Sequence, residues 1–359
     1  MAVLNIQDQQ VDSLSSNNQT LRIKDFLWSE DEWPEVPHDN YAKDTDIPTI
    51  SLEGVMERET AQESYDHACK KMVDASEKCG FFKLIDHGVD EEIVGNLTLR
   101  LNQLFDLPME RKVQGGRSES LPLGYSASNP NYGQNLPWAE ILQLLQSPRQ
   151  VLEFATKVFD EQHLEFYDAV IRYMEELDKL GMKVLTMLAH GLHLPGDFFT
   201  KNFDEKESTM FRANRYPPCP LPDKCLGLGS HSDPHTLTVL LQDDVGGLQV
   251  LNSHNEWIGV RPVPNSFIIN IGDTLEAWTN GRLKSVVHRA VVNKEKQRLS
   301  VAYFLSPKGS GIIDCPPELI DLQKEAKKYV PFSWEDFRKA LLIQKRVKGK
   351  TALNRYLIP

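Results

Sequence analysis

Cysteine is scarce in this chain: five residues among 359 (Cys69, Cys79, Cys219, Cys225 and Cys315), odd in number and never spaced Cys-x-x-Cys. That usage excludes a disulfide framework and reads as free thiols in a reducing compartment. Cys219 and Cys225 have no second Cys/His pair nearby, so they do not read as a zinc site. Positive charge is also short, with 40 Lys and Arg against 51 Asp and Glu and a net charge of -11. A concentrated basic face for nucleic acid or for an anionic membrane is therefore not expected. Long apolar runs are missing, and nothing approaches the ~18 residues of a membrane span. The polar stretch 1–21, rich in Asn, Gln and Ser, lacks the basic head and apolar core of a secretory signal. The sequons at Asn18 and Asn96 then carry no meaning. The cytosol is the expected compartment, and the nucleus is left open. Internal repeats and low-complexity tracts are absent too, while 40% hydrophobic and 25% charged residues are ordinary for a chain able to bury a large core.

Residues 1–45 read as a flexible leader with a few anchoring aromatics, Phe26, Trp28 and Trp33. Residues 47–52 alternate like a short strand. Over 59–79, Ala61, Tyr65, Ala68, Met72 and Ala75 predict an amphipathic helix that Gly80 stops. A strand over 81–88, a helix over 91–105 ended by Pro108, a Gly/Ser/Asn-rich loop over 114–135 and helix over 149–193 follow. After Phe203 the texture becomes β-rich, with short segments at 210–216, 236–241, 248–251, 257–260, 266–271, 285–290 and 299–304. Turn formers such as Asn252-Ser253 and Asn280-Gly281 separate them, the pattern of a sandwich or double-stranded barrel. The tail turns helical again, most clearly over 334–343. The expected divisions are a leader (1–45), a mainly helical N-terminal region (46–205), a barrel (206–310) and a helical C-terminal region (311–359).

Within the β-rich stretch, His231-Ser232-Asp233 is followed by His288 and, ten residues on, by Arg298-Leu299-Ser300. His231 and Asp233, at i and i+2, point to one side of an extended segment, and a separate strand can bring His288 across. Two imidazoles and a carboxylate on one face of a divalent ion are the donor set of non-haem Fe(II) oxygenases. The same donors bind zinc, and affinity does not separate the two metals. Arg298 and Ser300 argue for iron: they alternate with Leu299, so both can face a barrel interior, where a guanidinium grips a carboxylate through two parallel hydrogen bonds. A hydrolytic zinc site has no evident use for them. Tyr216 can add a phenol to the same ligand. His235 would share a helix face with His231, but Pro234 and the β pattern count against a helix there.

Further motifs are Gly80-Phe81-Phe82, His87-Gly88, Asn214-Arg215-Tyr216-Pro217-Pro218-Cys219-Pro220, Thr236-Leu237-Thr238, Gly246-Gly247-Leu248-Gln249-Val250, Asn270-Ile271-Gly272-Asp273 and Thr279-Asn280-Gly281. Together with the residues above, and over 47–343, they resemble the plant Fe(II)/2-oxoglutarate-dependent dioxygenases, in the branch that makes and modifies hormones and specialised metabolites. The resemblance implies a mixed α and β fold, a double-stranded β-helix (jelly-roll, cupin-like) barrel core covered by N-terminal and C-terminal helices. It implies that His231, Asp233 and His288 ligate Fe(II) and form the catalytic centre, and that Arg298 and Ser300 hold the distal carboxylate of 2-oxoglutarate. Tyr216, oriented by Asn214, would lie near the same ligand. With O2, 2-oxoglutarate would decarboxylate to succinate and CO2 while the substrate is oxidised, hydroxylation being the expected outcome. Ascorbate is left open as a reductant. Leu136-Pro137-Trp138-Ala139-Glu140 resembles the Leu-Pro-Trp-Lys-Glu-Thr segment of gibberellin 20-oxidases, with Ala139 in place of the Lys and Ile141 in place of the Thr.

By position in that family, Phe304 and Arg212 would contact the organic substrate, and Tyr125 and Trp138 would close over it from the helical half. The expected substrate is a small, largely apolar plant metabolite such as a gibberellin, with no nucleic acid, membrane or obligate protein partner. Flavonoid, phenylpropanoid or alkaloid oxidation on the same site stands beside it. So do a non-catalytic cupin-like binding module and an ascorbate-using oxidase on the same scaffold.

Overall fold

The spacing of apolar residues accounts for the helical layer. In the computed structural model, which describes residues 10–11, 14, 21–43, 46–55, 62–119, 121, 123–127, 135–203, 208–323, 326–343 and 352–359, it is laid against a large sheet. The expected boundaries at 45 and at 205–206, the sequon at Asn18, the start of the 59–79 helix and residues 128–134 of the expected loop lie outside the described residues. After β1 (Thr49–Ser51), α1 (Gln62–Lys78) buries a stripe of Ala68, Cys69, Met72, Val73 and Ala75. Gly80, at φ +68, closes it: the amides of Cys79 and Gly80 both donate to the Ala75 carbonyl, and a Cβ at Gly80 would lie 2.2 Å from the Lys284 oxygen. Next come β2 (Phe81–Ile85), α2 (Glu91–Asp106), capped by the Asp90 carboxylate on the Glu92 amide, and the short α3 (Met109–Lys112).

Two strands then occupy sequence expected to be loop or left unassigned, β3 (Gly124–Ser126) and β4 (Glu140–Leu145). The second carries almost no apolar–polar alternation, because it is covered on both faces. The helical stretch expected over 149–193 is two helices, α4 (Pro148–Val158) and α5 (His163–Gly191), because Phe159 is extended and ends the first. α5 packs on α1, α2 and α4 and reaches the sheet beneath.

The β-rich stretch supplies β5 (Met210–Tyr216), β6 (Leu226–His231), β7 (Leu237–Gln242), β8 (Leu248–Leu251), β9 (Trp257–Gly259), β10 (Phe267–Ile271), the buried α6 (Asp273–Trp278), β11 (His288–Val291) and β12 (Arg298–Leu305). β6 and α6 went unseen in the sequence. In β6 two glycines hide the strand, and Gly227 is needed there because a Cβ would meet the Tyr216 ring at 2.4 Å. Beyond β12 lie β13 (Ile312–Ile313), α7 (Pro317–Gln323), β14 (Phe332–Ser333) and α8 (Trp334–Ile343).

Among the described residues, the main sheet runs β1-β2-β10-β7-β12-β5-β4-β3 and a second runs β6-β11-β8-β9. The pairings are antiparallel except β1 with β2. Residues of both sheets line one cavity, the interior of the jelly roll, while the helices bury the main sheet's other face. The first half therefore does more than cover a barrel, since it contributes β1 to β4 to the main sheet. Among the described residues of the leader, Ile23 and the expected anchors Phe26 and Trp28 are buried, and its backbone is hydrogen-bonded to the barrel at Trp28 and Ala42. Among the described residues no helix is long and apolar enough to cross a membrane.

Candidate metal centre and co-substrate site

Strand register brings the metal-type donors together. β11 pairs with β6 so that His288 stands directly opposite His231, and the two rings lie 4.3 Å apart between centroids. Asp233 follows His231 by two residues, and its carbonyl accepts the Asp273 amide at the start of α6, which fixes the chain just past the strand. One carboxylate oxygen, Oδ1, sits 3.5 Å from His231 Nε2 and 3.6 Å from His288 Nε2. The other, Oδ2, accepts the Thr238 hydroxyl at 2.6 Å and the Asn270 side-chain amide. Each imidazole has its Nδ1 against a main-chain carbonyl, Gly229 for His231 at 2.8 Å and Val286 for His288 at 3.1 Å. Those contacts make Nδ1 the protonated nitrogen and leave the Nε2 lone pairs aimed at Asp233. Three donor atoms within 4.8 Å of one another, with no protein proton between them, fit a divalent cation.

The electrostatics agree with that fit. Burial opposes ionisation of Asp233, but the flanking His288 and His231 and the Thr238 hydroxyl hold its carboxyl well below the usual carboxylate range. Burial, reinforced by His231, pushes His288 from the usual 6.5 down to about 4, and burial does the same to His235. An anionic oxygen and a neutral ring are the protonation states a metal needs.

A histidine kept neutral by burial takes up a proton more readily in the unfolded chain, so acid favours unfolding. The stability of the metal-free protein should therefore be fully present above pH 6.5 and fall as the pH drops from 6.5 toward 4. His235→Phe should flatten the dependence of melting temperature on pH over that window, since a phenyl ring keeps the packing between Phe304 and Trp334. Thermal melts in a buffer series would test this, and an unaltered slope would rule out a buried neutral ring.

The second half of the site is a ladder. β12 and β5 pair Arg298 with Tyr216, Ser300 with Asn214, Ala302 with Arg212 and Phe304 with Met210, and all eight side chains line the cavity. At the inner end the Arg298 guanidinium is buried, lies 5.1 Å over the Tyr216 ring and donates to Gln242 at 3.2 Å. Its Nε has no hydrogen-bond partner, and its charge offsets part of the burial that pushes the Asp243 carboxyl up. A buried guanidinium with a free Nε–H, on the cavity face that also carries Ser300 and Tyr216, is the complement of a carboxylate. Asn214 reaches Ser300 at 3.5 Å and accepts from Arg212 Nε at 2.8 Å.

Of the residues singled out in the sequence, His231, Asp233, His288, Arg298, Ser300, Tyr216, Asn214, Arg212 and Phe304 line this one cavity of about 240 Å³. Tyr125 and Trp138 do not. Tyr125 pairs with Leu142 across β3 and β4 and faces the helical core, where it hydrogen-bonds Glu140 beside Lys112. Strand alternation sends it to the face opposite the cavity. Trp138 donates to the Pro217 carbonyl and packs behind Tyr216 with Phe26. Sequence reading gave no role to Thr238, Asn270 or the cavity-facing His235. The available signal was polarity inside apolar strands, Thr238 between Leu237 and Val239 and Asn270 between Ile269 and Ile271.

Comparison with known proteins gives the same answer independently of this geometry. Residues 207–307 match the 2OG-Fe(II) oxygenase superfamily, and residues 47–162 match the N-terminal region of the non-haem dioxygenases in morphine synthesis. Gibberellin 20 oxidase 1 of Arabidopsis thaliana is 34% identical over 318 residues, 87% of this chain and 82% of that protein. Gibberellin 20 oxidase 3 of the same plant is 35% identical over 320 residues, with the same coverage of 87% and 82%. Among solved structures, JOX2 in complex with 2OG, Fe and JA superposes with a TM-score of 0.79 at 29% identity over 98% of both chains. The dioxygenase for auxin oxidation in rice gives 0.72 at 30% identity, over 87% of this chain and all of that one. The chain belongs to the 2OG-Fe(II) oxygenase superfamily and is a 2-oxoglutarate-dependent dioxygenase that uses iron.

Proposed function

We propose that this enzyme hydroxylates a small, largely apolar carboxylic acid, a plant hormone or related metabolite, whose carboxylate pairs with Arg212. Iron held by His231, Asp233 and His288 supplies the redox chemistry that couples decarboxylation of 2-oxoglutarate to oxidation of the substrate. The protein's own part is positional. Arg298, Ser300 and Tyr216 take the distal carboxylate of 2-oxoglutarate at the inner end of the ladder. Asn214, tied to both Ser300 and Arg212, keeps the middle rungs in register.

The observation that carries the substrate class is Arg212. Its strand position is four residues from that of Tyr216, about 13 Å along the strand, too far for one small diacid to engage both rungs. Only its Nε is used within the protein, and among the described residues it forms no ion pair. On its own and the next rung the lining is apolar, with Ala302, Met210 and Phe304, and Leu240 stands across from Ala302. A cation beside such side chains, two rungs from Arg298, favours an apolar molecule bearing one anionic group. Gibberellin and auxin, which appear in the relatives' names, are acids of this kind.

A panel of a gibberellin, an auxin and a jasmonate, each offered as free acid and as methyl ester, tests the reading. The wild type should oxidise an acid and discriminate against its ester. Arg212→Leu should raise KM for the acid by roughly 10- to 150-fold, the loss of one charge-assisted contact, and erase the preference. Turnover of esters as fast as acids, or of neutral flavonoids instead, would overturn it.

A further inference from the structure

We propose that the leader, residues 21–42, forms the back wall of the 2-oxoglutarate end of the barrel and positions Tyr216 and Arg298 for that ligand. The inference rests on the assignment of those two residues to the co-substrate. Three separate contacts carry it.

The first is aromatic. Phe26 stands edge-on to Trp138, with centroids 5.0 Å apart and planes at 72°. Trp138 is held by its Nε1 hydrogen bond to the Pro217 carbonyl at 3.0 Å. Both rings belong to one apolar cluster with Ile23, Cys219, Cys225 and Tyr216, so the leader backs the Tyr216 ring from outside the cavity. Gly227 presses on the same ring, which has no room to yield there.

The second contact joins the leader to the strands that carry the histidines. The Trp28 amide donates to the Lys224 carbonyl at 3.0 Å, and its indole donates to the Leu136 carbonyl at 3.2 Å. The ring itself packs on Leu226 of β6 and Val291 of β11. A short relay lies alongside: the Val36 carbonyl accepts Gln249 Nε2 at 2.7 Å, and Gln249 Oε1 accepts Arg289 Nε at 2.9 Å, next to His288.

The third contact bears on Arg298. Gly246 and Gly247, both at positive φ, form the turn into β8. A Cβ on Gly246 would lie 2.5 Å from the Tyr41 hydroxyl, and one on Gly247 would lie 3.3 Å from Arg298 Cδ. The turn is thus pinched between the leader and the guanidinium stem, and a shift of Tyr41 reaches Arg298 through one layer of backbone. The first and third contacts fall at the Arg298–Tyr216 end of the ladder, the second falls on the strands that carry the histidines, and none is with Met210 or Phe304. Loosening the leader should accordingly weaken 2-oxoglutarate binding and leave substrate preference alone.

The experiment is calorimetric titration of 2-oxoglutarate into the full-length protein loaded with Mn(II), which needs no turnover. Phe26→Ala should weaken binding about tenfold, and the milder Phe26→Leu should shift it less in the same direction. Leu101→Ala, a core deletion in α2 away from the leader, should lower the melting temperature and leave 2-oxoglutarate affinity as in the wild type. Wild-type affinity in both Phe26 variants would overturn the proposal. So would equal weakening by Leu101→Ala, which would mark the effect as general destabilisation. Arg298→Ala is the reference arm: normal binding in that variant would overturn the site assignment itself, and the leader inference with it. Loss there with wild-type affinity in the Phe26 variants would overturn the leader inference alone.

Discussion

Asp233→Ala is expected to abolish turnover and metal retention together. The carboxylate is the anion that faces the two imidazoles, so its removal leaves a bound cation with no compensating charge in a buried site. Thr238 and Asn270, which now donate to Oδ2, lose their acceptor in the same step. Stripping one partner from a buried charged cluster costs about 3–5 kcal/mol. Taken as lost metal affinity, that is two to more than three orders of magnitude, at roughly 1.4 kcal/mol per tenfold. Metal content after dialysis and succinate release with the substrate present are the two measurements. Near-normal values for either would dismiss Asp233 as a ligand. The metal-free variant should retain its secondary structure, because the sheet pairings of β6 and β11 do not run through this side chain.

Arg298→Ala should raise the 2-oxoglutarate concentration needed for half-maximal activity by roughly 10- to 150-fold, the 1.5–3 kcal/mol of a charge-assisted hydrogen bond. The rate at saturating co-substrate should fall much less, since on the proposed assignment the guanidinium would hold the carboxylate remote from the reacting carbons. Arg298→Lys should recover only part of the loss: a lysine restores the charge but not the planar fork, and it stacks less well on Tyr216. An unchanged 2-oxoglutarate dependence in the alanine variant would remove Arg298 from the co-substrate site.

Much of the site was legible because it is written in short-range spacing. His231 and Asp233 differ by two positions, and Arg298 and Ser300 by two, which in an extended chain means one face. The segments at 210–216 and 299–304 read correctly as strands because they carry few glycines and alternate, and the 334–343 helix was periodic. What failed was placement across distance. β6 was disguised by its glycines, yet it is the strand that sets His231 opposite His288. Tyr125 was assigned to the substrate on position alone, and the pairing of β3 with β4 turns it toward Glu140 and the helices instead. The leader's polar residues outnumber its anchors, of which Phe26 and Trp28 are buried, with Ile23 beside them.

Taken alone, the amino-acid order determined the donor set, the Arg298–Ser300 pair on one strand face and the β texture that could hold them, because alternation and residue chemistry are local properties. Only the tertiary structure decided that His288 faces His231, that the rung of Arg298 and the rung of Arg212 stand four strand residues apart on one cavity face, and that Phe26 of the leader shares an apolar cluster with Tyr216. These depend on strand register and on which sheet face is buried. A change of one residue in pairing reverses every side chain, so such facts exist only once distant strands have been hydrogen-bonded to one another.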